Sequence, residues 1–464
     1  MLPIVLLSVF GIVMLFLGFM KSRAVLLPAA LLFLLVALGT SFLDWGHSYL
    51  YFRDMLLVNN QTILFSAITM LSAFMVIALS GDFLQDEAAQ PAEYYAIMLF
   101  SIVGAIMMIG FENLIMLFVG VEILSVSMYV LTGSDKKNIR SNEAALKYFL
   151  MGAFATGIML FGMALLYGAV GSFTITDITA FVSLSRGGIS LLLLMGLMLV
   201  LIGMLFKVSA APFHFWTPDV YDGAPTLFTA FMSTVVKTAG FAALLRLLMA
   251  VSATSMYDRW WQIVAGITVL TLLAGNLTAV YQNSFKRMMA YSSISHAGYL
   301  LIALAALGQQ SNGALAFYSL AYSVATIAAF GILLLVAKQR GKDGQRDETY
   351  EAFNGLAKQN PLLAFILAVS MLSLAGIPLT AGFWGKFMVF STAVEKGMVW
   401  MLVVAVLMSA VGIYYYFRVV IAMYFRTGEV TAIRVAPFYR IVLIVATVLT
   451  IVLGLAPGLV QGLI

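Results

Sequence analysis

The amino-acid sequence predicts an all-α polytopic membrane protein of about fourteen transmembrane helices. Three observations lead there. Of 464 residues, 63% are hydrophobic and only 10% charged, giving a mean hydropathy of +1.04. Apolar runs of about 20 residues, the length that crosses a bilayer as a helix, recur from end to end. The alternating segments of about 10 residues that mark a membrane β-barrel do not occur.

The spans are read at residues 3–20, 24–43, 61–80, 94–111, 113–132, 144–168, 190–211, 224–250, 260–280, 291–308, 313–337, 361–394, 398–425 and 438–460. The run Met1–Met20 is long enough to be a first span and is followed by Lys21 and Arg23, so no cleaved leader is expected. Charged residues mark many of the later connections: Arg53 after the second span, Lys136, Lys137 and Arg140 after the fifth, Arg186 after the sixth, Arg259 after the eighth. Lys286 and Arg287 follow the ninth, Lys396 the twelfth, Arg426 and Arg434 the thirteenth. The longest connection, Lys338–Asn360, reads as a solvated surface segment. Of the 25 lysines and arginines, with Arg440 at the start of the last span counted in the loop before it, fifteen belong to odd-numbered loops, four to even-numbered loops and six to spans. Positive residues gather on the cytoplasmic side, which places the odd loops in the cytoplasm and both termini outside.

Residues 200–246, VLIGMLFKVSAAPFHFWTPDVYDGAPTLFTAFMSTVVKTAGFAALLR, organise the rest. Two apolar segments each carry one lysine, Lys207 and Lys237. Pro212, Pro218, Gly223 and Pro225 lie between them, so the first helix is broken within reach of the membrane. A charge at the bilayer centre costs about 2.5–3.5 kcal/mol even on insertion scales; such residues face a bundle interior or cavity and mark ion paths. A fainter copy follows. SAAPFHFWTPD (209–219) and LAGIPLTAGFWGKF (374–387) share small residues, a proline and then Phe-Trp. Lys207 precedes Pro212, whereas Lys386 follows Pro378, the opposite placement expected of inverted repeats with broken helices.

Glu122 is the one acid at a span centre. Ionised and alone it is very costly, so it is read as neutral or paired, with Lys207 and Lys237 as its natural partners. The competing reading is a structural ion pair that locks two helices. For Lys207, near the break, snorkelling to the interface also competes; for mid-helix Lys237 it has little weight. Lys386, after the second break, joins the same set. Lys147 sits four residues after Glu143 near a span start, a common stabilising arrangement as well as a relay candidate. Arg246 and Arg418 lie near span ends and read as snorkelling. His296, among Tyr291, Ser292, Ser293 and Ser295, either relays protons or simply bonds across helices. The 28 methionines and the Tyr414–Phe417 run read as packing and interface anchors.

Several function classes are excluded by what is missing. With no cysteine, disulfides, thiolate metal sites and iron–sulfur ligation in this chain are ruled out. His47, His214 and His296 have no metal-binding spacing. There is no Walker-A motif, so no ATP-driven pump, and no dinucleotide fingerprint. The formal charge of +5 sits largely in short loops and points to no nucleic acid. The chain carries proton-conducting residue types without an energy source, so an ion gradient or a partner must drive it.

Four passages resemble a known family: NLIMLFVGVEILSVSMYVLTG (113–133), NEAALKYFLMGAFATGIMLFGMALLYGAVGS (142–172), FKVSAAPFHFWTPDVYDGAPT (206–226) and NSFKRMMAYSSISHAGYLL (283–301). Together with residues 376–387 they are similar to the antiporter-like membrane subunits shared by respiratory complex I and multisubunit cation/proton antiporters. Length, AALKYF with Lys147, and Lys386 resemble the N-type subunits of proton-translocating NADH:quinone oxidoreductase. The resemblance implies one membrane domain over 1–464: helices 1–3 in 1–80, a first five-helix repeat at 94–250, an inverted second at 260–425 and a last helix at 438–460, with helices 7 and 12 broken. It implies a gating pair of Glu122 and Lys207, a central relay at Lys237, and Lys386 leading to the opposite side. His296 and Lys147, the latter with Glu143, would join that axis. It further implies no cofactor in this chain, with NADH, FMN, iron–sulfur clusters and quinone held elsewhere in the complex. Partners would be the neighbouring membrane subunits, in a bacterial inner membrane. Two alternatives stay open: a cation/proton antiporter subunit driven by an ion gradient alone, and a scaffold whose buried charges only fix packing.

Overall fold

A computed structural model describes the chain except residues 21, 82, 85–89, 185–189, 253–256, 341–346, 429–431 and 462–464. The orientation signals at Lys21, Arg186, Lys342 and Arg346 therefore lie outside the described residues. The chain divides into two compact units, Met1–Trp216 with Val235–Val264, and Thr217–Thr234 with Ala265–Ile464.

The first unit holds the helices Leu2–Leu17, Leu26–Ser41, Asn60–Ala78, Pro91–Ile109, Leu114–Thr132, Ile139–Val170, Ile175–Leu184, Leu191–Lys207 and Lys237–Ser252. Side-chain caps start many of them. Asn59, Asn113, Asn138 and Ser190 each accept a first-turn backbone N–H, satisfying a donor that a helix start otherwise orphans. Pro91 opens its helix at a position that needs no N–H. Gly104 and Gly120 let the Pro91–Ile109 and Leu114–Thr132 helices touch backbone to backbone. A Cβ on Gly104 would stand 2.8 Å from the Gly120 oxygen. Small residues at such crossings are how helices approach closely in membranes.

The second unit holds Thr226–Phe231, Phe285–Ala305, Ser311–Arg340, Pro361–Ala375, Ala381–Glu395, Val399–Phe425 and Pro437–Leu455, and Tyr257–Val280 enters it from the first. Its core includes Phe317, Ala321, Ala381 and Leu453.

Among the described residues, eleven helices are long and apolar enough to cross a membrane. The first, seventh and twelfth predicted spans are shorter, at Leu2–Leu17, Leu191–Lys207 and Pro361–Ala375. In the last two the cause is visible: the helix stops at Lys207 and at Ala375, and helix resumes only at Trp216 and at Ala381.

Three connections hold more structure than their polarity suggests. A two-stranded antiparallel hairpin, Tyr49–Tyr51 with Leu56–Val58, stands in the connection after the second span. A short helix, Ile175–Leu184, follows the sixth span. The Lys338–Asn360 connection is not wholly solvated: Tyr350, Ala352 and Phe353 are buried, and Glu348 accepts from the buried Lys286 at 3.0 Å. Its polar residues hid an apolar anchor.

Each unit repeats one local device. In the first, Asn113 bridges Thr174, with Leu114 N–H donating to the Phe173 oxygen at 2.9 Å and Ile175 N–H to the Glu112 oxygen at 2.9 Å. In the second, Ser284 bridges Thr349, with Phe285 N–H donating to the Glu348 oxygen at 2.8 Å and Tyr350 N–H to the Asn283 oxygen at 3.4 Å. Both bridges sit at the N-cap of a long helix.

Candidate functional site

In the first unit, Lys207 is the last residue of its helix. The break that follows frees carbonyls that lipid cannot satisfy, so protein groups must. The Trp216 indole donates to the Phe206 oxygen at 3.0 Å, and Ala210 N–H to the Leu205 oxygen at 3.0 Å. The turn uses a left-handed Ser209, φ 63°. Lys207 Nζ donates to Ser125 Oγ at 2.8 Å. Glu122 lies three residues before Ser125 on the same helix, so the two share a face. The Glu122 Oε1 is buried without a hydrogen-bond partner.

Lys237 is buried at 3% exposure and follows a π-helical turn, Met232–Val236. Such turns interrupt the regular backbone ladder and frequently stand at functional sites. Gly240, one turn on and on the same face, lies against the helix break: a Cβ there would stand 2.9 Å from Val208 and 3.9 Å from the Lys207 stem. The face of this helix that carries Lys237 is thus turned toward the end of the Lys207 helix.

In the second unit, Lys386 Nζ donates to the Ala375 oxygen at 2.8 Å and to Ser409 Oγ at 2.9 Å. It also stands 4.7 Å above the Tyr299 ring. Ala375 ends the Pro361–Ala375 helix, and Gly376 turns the chain at φ 84°. The ammonium thus meets the negative end of a helix dipole, where a cation is favoured. His296 is bonded at both ring nitrogens, Nδ1 to Tyr318 Oη at 2.7 Å and Nε2 to Tyr416 Oη at 3.0 Å. Tyr416 also bonds Ser292 through a very short contact. Ser295 and Tyr415 both donate to Asn276 Oδ1, each at 3.1 Å. Two hydrogen-bonded groups thus stand here, Ser292–Tyr416–His296–Tyr318 around the imidazole and Ser295–Asn276–Tyr415 beside it.

The structure therefore brings Glu122, Lys207 and Lys237 into one unit, and His296 and Lys386 into the other. Lys147, also in the first unit, pairs with Glu143 at 2.7 Å, with side-chain exposures of 42% and 59%. Ser125, Ser409, Asn276, Tyr318 and Tyr416 were missed by sequence reasoning. Their only signal was polarity inside an apolar span, which serine and tyrosine share with ordinary packing positions.

Two arginines also need correction. Arg246 does not snorkel: it pairs with Glu112 at 2.5 Å, the two side chains 11% and 15% exposed, and Thr176 donates to the other Glu112 oxygen at 2.9 Å. Arg418 donates to the Val280 and Gln282 oxygens at 2.8 and 3.2 Å and lies over the Tyr350 ring. Tyr416, read as a packing anchor, bonds His296, and Tyr415 bonds Asn276. Among the described residues, no group of three or more His, Asp or Glu side chains is placed to hold a metal ion.

The family model described as NADH:quinone oxidoreductase/Mrp antiporter, transmembrane, matches residues 112–412. The chain belongs to this family. The matched range contains Glu112, Glu122, Lys207, Lys237, His296 and Lys386. A protein named NADH-quinone oxidoreductase subunit N from Trichlorobacter lovleyi is 43% identical over 430 residues, covering 92% of this chain and 87% of that one. Another of that name from Flavobacterium psychrophilum is 38% identical over 457 residues, covering 98% of both. A chain in the structure of respiratory complex I from Thermus thermophilus with bound aureothin has a TM-score of 0.84 at 35% identity, over 99% of this chain and 98% of that one. The family member described here thus matches such subunits over nearly its whole length.

Proposed function

We infer that this chain is a proton-translocating, N-type membrane subunit of an NADH:quinone oxidoreductase. It is a multi-pass protein of the bacterial inner membrane and works beside other membrane subunits of the complex. Electron transfer from NADH to quinone, with its flavin and iron–sulfur groups, is assigned to other subunits. This chain's part is to move protons. Near-complete, end-to-end similarity to proteins of that name supports the assignment.

The finer reading has fourteen spans in two inverted five-helix repeats, broken at helices 7 and 12. The matching bridges at Asn113–Thr174 and Ser284–Thr349 support it, as do the two helix interruptions, each with a buried lysine. Lysine and arginine asymmetry supports cytoplasmic odd loops and external termini.

The relay uses Glu122 and Lys207 as a gating pair, Lys237 as the centre, and His296 and Lys386 toward the opposite side. The burial of Lys207, Lys237 and Lys386, at 6%, 3% and 5% exposure, carries this reading. Buried ammonium groups persist in a membrane at high cost and mark ion paths. A shift in neighbouring subunits changes the distance between Glu122 and Lys207. That alters how firmly the lysine holds its proton and passes it toward Lys237. Lys147, with Glu143 as its partner, is a secondary member.

The test is Lys237→Ala in the intact complex, reconstituted in vesicles, with proton uptake followed beside quinone reduction. Fewer protons per electron are expected; pumping at the wild-type ratio would overturn the relay. Because the family model also covers Mrp antiporters, affinity purification through this chain decides between the assignments. Retention of flavin and iron–sulfur proteins is expected; recovery of small membrane proteins alone would favour the antiporter.

A further inference from the structure

Glu122 and Ser125 lie three residues apart on the Leu114–Thr132 helix, so they share one face, roughly 5–6 Å apart at Cβ. Lys207 is bonded to the second of them. Ser125 Oγ accepts from the ammonium at 2.8 Å while donating its own proton to the Val121 oxygen at 2.5 Å. Ser125 and Lys207 are buried, at 1% and 6% exposure. The neighbouring Glu122 Oε1 is buried and has no hydrogen-bond partner, a costly condition for an acceptor. A free acceptor and a neutral hydroxyl holding the nearby ammonium thus stand one turn apart.

The two acceptors differ chemically. Glu122 offers charge, and an ammonium bound there is neutralised. Ser125 has its proton committed to Val121, so it accepts from the ammonium without competing for its proton. The lysine backbone need not move to choose between them. It is anchored by the Trp216–Phe206 bond, and the long side chain alone can swing.

We propose that Ser125 is a positioning residue for translocation, an alternative dock that holds the Lys207 ammonium off the Glu122 carboxylate in one state of the cycle. The proposal rests on the reading of Lys207 as a relay residue. Ser125 touches no substrate except through that lysine.

The experiment compares Ser125→Ala, Ser125→Thr and Lys207→Met in the intact complex in vesicles. Two quantities are read: protons pumped per electron, and the infrared carboxyl band that disappears in Glu122→Gln. With Ser125→Ala, the lysine falls back onto Glu122, so the band shifts and the proton ratio drops several-fold. Ser125→Thr, which keeps the hydroxyl, restores both. Wild-type values of both in Ser125→Ala would overturn the proposal. So would a lowered ratio with an unmoved band that threonine does not rescue, the mark of a structural role. If Ser125→Ala does not assemble, Ser125→Cys, a weaker acceptor of similar size, is read in the same two ways. Normal pumping by Lys207→Met would instead sink the relay reading itself. Loss of pumping there with a silent Ser125→Ala would sink the dock alone.

Discussion

Lys386 donates to the carbonyl oxygen of Ala375 at 2.8 Å, and Ala375 is the residue at which the Pro361–Ala375 helix ends. One side chain therefore closes a helix break and stands as a candidate proton carrier. The two roles separate by substitution. Lys386→Met removes the nearer of two donors to the Ala375 oxygen and leaves Ser409 Oγ at 3.4 Å, so it costs less than the about 1–3 kcal/mol of an orphaned carbonyl. The complex is expected to assemble with a lowered melting temperature and to lose most of its redox-coupled pumping. Pumping at the wild-type ratio in Lys386→Met would leave only the structural role.

Glu112 and Arg246 form a nearly buried ion pair that Thr176 completes. Removing one partner leaves an uncompensated charge, so Arg246→Ala is expected to cost about 3–5 kcal/mol. Replacing both, as Glu112→Leu with Arg246→Met, should cost much less than the two single changes together, because no lone charge is left buried. Thermal unfolding of the purified complex, read as a double-mutant cycle, checks this. Additive costs would show that the pair is not coupled.

The Lys147–Glu143 pair is half exposed, and pairs at this spacing contribute about 0.3–0.5 kcal/mol. Lys147→Met is expected to leave the melting temperature nearly unchanged and to reduce pumping less than Lys207→Met. Parallel proton-uptake traces on the two variants rank them. An equal loss would move Lys147 into the centre of the relay.

The excess of lysine and arginine in the odd-numbered loops predicts that these loops are cytoplasmic. A reporter enzyme active only outside the cytoplasm should be silent when fused at Lys136 and active when fused at Lys396. These lie in an odd-numbered and an even-numbered loop. The reverse pattern would invert the topology.

Much of the candidate site was legible because charge inside an apolar run is loud. Lys207, Lys237, Lys386 and Glu122 stand out from neighbours that are nearly all aliphatic or aromatic, and proline positions announced both helix breaks. The hydroxyl groups were quiet. Ser125 and Ser409 look like any small residue between helices, and Tyr416 looks like an interface anchor until its Oη is found on His296. Arg246 was misread for a related reason. Its distance from a span end permits snorkelling, and its partner Glu112 is 134 residues away in the chain.

The sequence by itself determined the membrane-spanning helical class, most of the long apolar helices, and the lysines near the two places where helices stop, Lys207 and Ala375. Each depends on local composition: how long an apolar run is, where proline removes a donor, where a charge falls. Only the tertiary structure decided which acceptors hold two of the lysines, Ser125 for Lys207 and Ala375 with Ser409 for Lys386, and that Lys147 is half exposed beside Glu143. A side chain's partner depends on helix rotation and crossing. Those are set by contacts such as Gly104 on Gly120 between separate helices, and no single stretch of chain encodes them.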